Sequence, residues 1–254
     1  PISEFNTQWE KAKRTFQDLS SPPIISIVGG GPAGIELAMS IKHRLSIDKV
    51  ENKFPHTAVS IKILTSGPEI LSSYPRNAQK RCRKILASAG IEVLTNWRVT
   101  KVKNKQLEND TGERITVDEI IWATGSEAPE WLKTSGLPTS ERGFIQINHH
   151  LRVIGTETVF AAGDVADMEF SPRPKSGVFA VRQGRVLAQN IRRLCRGRKL
   201  IRFQPQRSVL SLITMGDKYV VGNKGPLTLS GKWLWYLKTY IDESFVKKFT
   251  VFPE

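Results

Sequence analysis

The stretch Ile24-Ile25-Ser26-Ile27-Val28-Gly29-Gly30-Gly31-Pro32-Ala33-Gly34-Ile35-Glu36-Leu37-Ala38 decides the fold. Its first five residues read as a buried strand of the parallel-sheet type, apolar almost throughout. Glycines follow at once, and Ile35, Leu37, Ala38, Ile41 and Leu45 then mark a helix to about Arg44 or Leu45. Gly29, Gly31 and Gly34 fit G-x-G-x-x-G. The first glycine permits the tight turn, the second lets a pyrophosphate approach the backbone, and the third allows helix and strand to pack closely. The N-terminus of the helix adds unpaired N–H groups and a partial positive charge. Placed between strand and helix, the pattern implies a dinucleotide site; a glycine-rich turn that binds nothing is the plain structural reading.

Outward from this turn, residues 1–23 read as an amphipathic helix and linker. Trp9, Ala12, Phe16 and Leu19 fall at helical spacing, and Ser20-Ser21-Pro22-Pro23 breaks the chain. A second strand is predicted at about Ala58–Leu64. It runs into Thr65-Ser66, so no carboxylate stands where an adenosine ribose is normally read. Thr65 or Ser66 offers a hydroxyl instead, Arg76 offers charge to a 2′-phosphate, and Glu69 is an alternative acid, which leaves NADH against NADPH open. Asn77–Ala89 reads as a basic helix and Gly90–Leu94 as a strand. Val99–Lys103, Lys105–Glu108 and Arg114–Thr116 form a meander turning at Asn109–Gly112, and it feeds a buried strand at Glu119–Ala123. Helices between parallel strands make the class α/β. Further on, Phe144–Ile147 and Thr158–Ala162 read as strands. A helix at Phe179–Leu194 carries Val186, Leu187, Asn190, Ile191 and Leu194 on its periodic side. A hairpin (Ser208–Thr214, Lys218–Val221) precedes a terminal helix.

The chain has 254 residues, 39% hydrophobic and 24% charged, the composition of a packed globular protein. Lys and Arg number 38 against 24 Asp and Glu, a net charge of +14. That favours anionic partners: nucleotide phosphates, acidic lipid headgroups or nucleic acid. No aromatic-interleaved basic motif or zinc-finger spacing accompanies the charge, so nucleic acid is not expected. Cys82 and Cys195 form no C-x-x-C pair, so neither a disulfide framework nor a metal site is expected, and a reducing, cytoplasmic setting fits. Cys82 lies between Arg81 and Arg83, where a thiol is either acidified by its neighbours or buried as a core residue. No signal peptide and no apolar run of about 18 residues is present. The chain begins at Pro1, which predicts processing or truncation.

Three later motifs join the glycine loop in order. Ile120-Ile121-Trp122-Ala123-Thr124-Gly125 is similar to the apolar-A-T-G segment closing the nicotinamide domain of two-dinucleotide flavoproteins. Thr158-Val159-Phe160-Ala161-Ala162-Gly163-Asp164-Val165-Ala166 resembles their late flavin motif, and Lys175–Gly184 resembles the segment after it in type II NADH dehydrogenases. Over residues 24–194 the chain thus resembles the FAD-dependent pyridine nucleotide-disulfide oxidoreductase superfamily, in its NADH dehydrogenase-like branch. A similar oxidoreductase part occurs fused to selenide, water dikinase, and residues 201–254 look like its tail. The resemblance implies that Gly29, Gly31, Pro32, Ala33 and Gly34 hold the pyrophosphate of NAD(P)H, with Thr65 nearby, and that Thr124 and Gly125 border the site. It also implies that Glu36 sits near the reactive ring, where the plain reading is a carboxylate favoured by the helix dipole. Gly163, Asp164, Gly177 and Val178 would meet FAD, with hydride passing from NAD(P)H to flavin and electrons on to a quinone or other small acceptor.

The pattern departs in one respect: no second G-x-G-x-x-G precedes residue 29, and 23 residues are too few for a βαβ unit of about 30. The expected layout is therefore a helical linker (1–23), a Rossmann-like NAD(P)H-binding domain with parallel sheet and β-meander (24–127), the C-terminal part of an FAD-binding domain (128–200), and a hairpin with an amphipathic helix (201–254). On this reading the chain is a fragment, inactive alone, that lacks its FAD-binding half or a fused partner domain. A nucleotide-binding regulatory module on the same fold is the rival. In the terminal helix, Trp233, Leu237, Tyr240, Ile241, Phe245 and Phe249 share one side, with Lys232, Lys238, Lys247 and Lys248 around it. Such a helix lies in a membrane interface, peripheral on the cytoplasmic face, or docks on the protein's own body.

Overall fold

The computed structural model describes residues 2–50, 59–206 and 208–250, with side chains from 4 to 248. The chain divides into two units, one of Pro1–Thr124 with Leu210–Glu254 and one of Gly125–Val209. The hairpin and terminal helix expected to stand apart thus belong to the first unit, and so does the leading helix.

The first unit is built on a parallel sheet. Strand β1 (Ile24–Val28) pairs with β2 (Ser60–Leu64) and β7 (Glu119–Trp122), and β2 with β3 (Ile91–Leu94), in the order β3-β2-β1-β7. Alternation along β1 splits its apolar residues between two faces. Ile25 and Ile27 pack into a core with α1 (Ile2–Gln17), α2 (Pro32–Val50) and α3 (Arg76–Ser88), through Phe16, Ile35, Ala38, Cys82 and Leu86. Val28 packs on the opposite face with Leu64, Trp97, Leu107 and Val117. That second face is covered by the meander β4 (Val99–Lys103), β5 (Gln106–Asn109) and β6 (Arg114–Thr116). Its turn is fixed by buried Asn109, whose Oδ1 accepts from the N–H groups of Thr111 and Glu113.

Three sequence expectations need correction here. Helix α2 runs to Val50, past Leu45, because Asp48 is 3% exposed yet paired with Arg44 at 2.9 Å and Lys13 of α1 at 3.9 Å. Strand β7 is a half-buried edge with Trp122 55% exposed, since only β1 flanks it. The C-terminal hairpin has a third strand: β10 (Ser211–Thr214), β11 (Val220–Lys224) and β12 (Leu227–Gly231) form an antiparallel sheet. Ile213, Met215 and Val221 insert into the α1–α2–α3 core. The start of the second strand at Ala58 lies outside the described residues.

Helix α6 (Trp233–Thr250) docks on this sheet through Leu234, which is 3% exposed. Leu234 falls within the stripe expected to be apolar, but Trp233, Leu237, Tyr240, Ile241 and Phe245 of that stripe are exposed, as are Tyr236 and Val246. Phe249 lies outside the described side chains.

The second unit contains α4 (Glu130–Thr134), α5 (Gly177–Cys195), and the parallel pair β8 (Ile145–Gln146) and β9 (Ala166–Asp167). The strand expected at Thr158–Ala162 reduces to a single bridge, Arg152 to Phe160. Its partner segment is curled by Leu151 at φ 63° and Gly155 at φ 76°, so no longer ladder forms. On α5 the buried positions are Phe179, Gln183 and Asn190; Val186 and Leu187 are half-buried, and Ile191 is exposed, contrary to its place in the periodic pattern. Asn190 donates to the carbonyls of His150 (2.8 Å) and Ile201 (2.9 Å) and accepts from the Ile201 N–H (2.7 Å). This amide closes the chain after α5. Asn190→Ala strands all three backbone groups, so exchange of the Ile201 amide is expected to speed up by about thirtyfold or more, read by hydrogen–deuterium exchange.

Candidate functional site

The glycine turn is shaped by contacts that tolerate no side chain. Gly29 holds φ +134°, and a Cβ there would stand 2.3 Å from the Ala123 carbonyl oxygen and 3.1 Å from the Thr124 nitrogen. A Cβ on Gly34 would stand 2.0 Å from the Gly29 carbonyl oxygen. Around Gly31 a Cβ would meet nothing within 4 Å. The first and third glycines therefore let backbone touch backbone, while the middle one faces open space, as close approach of a pyrophosphate requires. Pro32 opens α2, where its missing N–H costs nothing, and Ala33 and Gly34 in the first turn have no intrahelical acceptor for theirs. The residues present fit a dinucleotide pyrophosphate. Thr65 and Thr124 are brought to the same turn: a Cβ on Gly30 would lie 2.8 Å from Thr65 Cβ and Oγ1.

Glu36 falls in the second turn of α2, not the first. The dipole effect fades beyond the first turn, so capping electrostatics does not account for it. Its Oε1 instead accepts from the N–H and the hydroxyl of Thr214, both at 2.8 Å. Thr214, on β10 and 178 residues away in sequence, is a partner of Glu36 that sequence reading missed.

Glu69 is engaged through one of its two carboxylate oxygens. Its Oε1 accepts from Arg83 Nε at 2.9 Å, Arg83 Nη2 at 2.5 Å and the Ile70 N–H at 2.9 Å. Burial pushes its carboxyl up, but Arg83 and the Ile70 N–H outweigh that and hold it below the usual carboxylate range. Cys82 is buried in the core among α3 neighbours, and burial pushes its thiol up to about 12, so it is not acidified by Arg81 or Arg83. Cys195 is exposed.

In the second unit, Gly163 takes φ +75° in a short 3-10 turn, and its N–H donates to Gln183 Oε1 at 2.5 Å. That bond sets the turn against α5, while the Asp164 side chain is exposed. Gly177 and Val178 open α5 and are exposed, Gly177 with nothing within 4 Å of an added Cβ. Their N–H groups have no intrahelical acceptor. The cleft between these elements includes Asp164, Asp167, Lys175 and Gln183. Lys175 Nζ lies 4.1 Å from the centre of the Phe144 ring and donates to the Ala166 carbonyl. Burial lowers the pKa of this ammonium against the pull of Asp167 and Asp164. A positive-φ glycine, a free carboxylate and a helix N-terminus fit a sugar-chain hydroxyl and an electron-rich ring edge. Gly125 begins the second unit, so Gly29, Gly31, Pro32, Ala33, Gly34, Glu36, Thr65 and Thr124 gather in the first unit and Gly163, Asp164, Gly177 and Val178 in the second. Among the described residues no group of three or more His, Cys, Asp or Glu is placed to hold a metal ion.

A family model described as pyridine nucleotide-disulphide oxidoreductase matches residues 4–184. Demethylphylloquinone reductase NdbB of Synechocystis sp. is 30% identical over 224 residues, 84% of this chain and 53% of that protein. Ferroptosis suppressor protein 1 of Homo sapiens is 26% identical, over 78% of this chain and 52% of that protein. Among solved structures, NDH2 from Plasmodium falciparum in complex with NADH superposes with a TM-score of 0.69 at 15% identity, covering 92% of this chain and 63% of that one. The sulfide:quinone oxidoreductase of Aquifex aeolicus gives 0.74 at 16% identity, covering 95% and 61%. The chain spans about half the length of the Synechocystis relative, 53%.

Two outcomes check the site's construction. Gly34→Ala is expected to lower the melting temperature by about 4 °C or more through overpacking, whereas Gly31→Ala moves it by about 1 °C or less, read by thermal scanning. Because folding raises the Cys82 value from 9.0 to about 12, its contribution is complete below pH 9 and lost as the pH rises toward 12. Urea titrations at about pH 8 and about pH 10.5 should therefore show a larger loss of stability for the native chain than for Cys82→Ala.

Proposed function

Because the chain belongs to the pyridine nucleotide-disulphide oxidoreductase family, we propose that it is the nicotinamide-binding and C-terminal portion of an FAD-dependent NAD(P)H oxidoreductase passing electrons to a quinone-type acceptor. The observation that carries this is the glycine turn, closed to side chains at Gly29 and Gly34 and open at Gly31. When bound, the two cofactors supply a hydride donor and a hydride acceptor; the protein's part is to hold and align them. Gly29, Gly31, Pro32, Ala33 and Gly34 hold the nicotinamide dinucleotide, with Thr65 and Thr124 at its borders. Glu36, oriented through Oε1 by Thr214, sits beside the nicotinamide. Gly163, Asp164, Gly177 and Val178 serve FAD: Asp164 accepts from a sugar-chain hydroxyl, and the α5 N–H groups meet the ring edge.

The remaining flavin contacts come from an FAD-binding half outside this sequence, in the same polypeptide or another, and this portion alone turns over no substrate. A lipid-soluble acceptor suits the exposed Trp233, Tyr236, Leu237 and Tyr240 of α6, flanked by lysines, as a peripheral contact with the cytoplasmic membrane face. No helix among the described residues is long and apolar enough to cross a membrane.

Calorimetry on the 254-residue chain tests the central claim. A nicotinamide dinucleotide binds with micromolar affinity, binding is lost in Gly31→Asp, and FAD alone binds weakly. A folded chain that binds no nicotinamide dinucleotide overturns the redox reading and leaves a non-catalytic module on the same fold. Co-sedimentation with vesicles containing anionic lipid tests α6: Trp233→Ser with Tyr240→Ser is expected to reduce bound protein about tenfold or more.

A further inference from the structure

The end of β2 is where a dinucleotide fold reads the adenosine ribose, ordinarily with a carboxylate that accepts from the 2′-hydroxyl and repels a 2′-phosphate. Here Thr65 follows the strand directly and its side chain is packed against Gly30. The Gly30 carbonyl accepts the Leu71 N–H at 2.8 Å, so the segment from Ser66 to Leu71 folds back onto the glycine turn. Glu69, the acid of that segment, spends Oε1 on Arg83 and the Ile70 N–H. From the neighbouring strand end, the Trp97 N–H donates to the Thr65 carbonyl and the Asn96 N–H to the Gly67 carbonyl, both at 2.9 Å. Arg98 is the next residue in the chain after Trp97, and Arg76 opens α3 just beyond the loop. Both arginines are exposed and make no hydrogen bond or ion pair among the described residues. The edge therefore offers two hydroxyls, a neutralised acid and two free guanidinium groups, which suit a dianionic phosphate through charge-assisted, bidentate bonds.

Resting on the dinucleotide reading of the glycine turn, we infer that this site takes the 2′-phosphorylated nicotinamide dinucleotide, NADPH, in preference to NADH. Arg98 and Arg76 bind the 2′-phosphate, while Ser66 and Thr65 supply hydroxyl donors in place of the usual carboxylate.

The test is calorimetric titration of the chain with NADPH, NADH, adenosine 2′,5′-bisphosphate and AMP. NADPH is expected to bind about tenfold or more tighter than NADH, and the bisphosphate tighter than AMP by a similar factor. Arg98→Glu and Arg76→Glu, both at exposed positions, narrow the NADPH-to-NADH ratio, and Ser66→Glu shifts it toward NADH. Higher salt weakens NADPH more than NADH. Equal affinities, or tighter NADH binding, overturn this inference while leaving the dinucleotide site standing. A ratio that survives all three substitutions overturns the assigned residues. Binding of neither nucleotide by a folded chain overturns the dinucleotide reading and this inference together.

Discussion

The first unit depends on one place where a helix and a strand approach too closely for any side chain. Gly34 in α2 rests against the carbonyl of Gly29, and Gly29 against the carbonyl of Ala123. Backbone contact at both points draws three things together: the end of β1, the start of α2 and the end of β7. Helix α2 is thereby seated on the sheet, its first N–H groups gather at the strand ends, and Thr124 is brought to the same turn. On the dinucleotide reading proposed above, affinity for a phosphate and the packing of the domain follow from the same two contacts. A change at Gly34 therefore acts first on architecture, whereas one at Gly31 acts first on what approaches from outside.

What sequence reading recovered and what it missed divide along physical lines. Strand β1, the glycine turn, α3 and the meander were legible because each is specified locally, by strand apolarity, a run of glycines with Gly29 at positive φ, helical spacing, or an asparagine whose amide closes its own turn. The run of α2 past Leu45 was not legible from apolar spacing, because Asp48 is buried there against charges from Arg44 and Lys13. Thr158–Ala162 has the composition of a strand, yet a ladder needs an equally extended partner, and Leu151 and Gly155 deny it one. On α5 the anchors are two buried amides, Gln183 and Asn190, that an apolar periodicity does not register, while Ile191 is left outside.

The site's residue types were legible, but their partners were not. Glu36 stood out because of where it follows the glycines, and Thr214, which fixes it, could not be found by spacing. Glu69 looked available until Arg83 was seen to occupy it, and Cys82, flanked by arginines in sequence, turns away from them into an apolar core. In each case the chemistry followed from which face of its element the residue occupies. The terminal helix gives a related lesson: Leu234, which lies on the same stripe as Leu237, Ile241 and Phe245, is buried on the sheet, while those three stay exposed.

The bond between Glu36 and Thr214 closes a loop of 178 residues, and the whole of the second unit lies inside it. A ribosome therefore releases the sheet and glycine turn of the first unit long before the strands that complete its core. During that interval the faces of α1, α2 and α3 that await Ile213 and Val221 are without their cover. Non-local closure of this kind is slow, and exposed apolar surface invites association while it lasts. The chain's order of emergence, more than its final energy, thus makes β10–β12 and α6 the step on which productive folding turns, and truncations near the C-terminus are the changes that nascent chains should tolerate least.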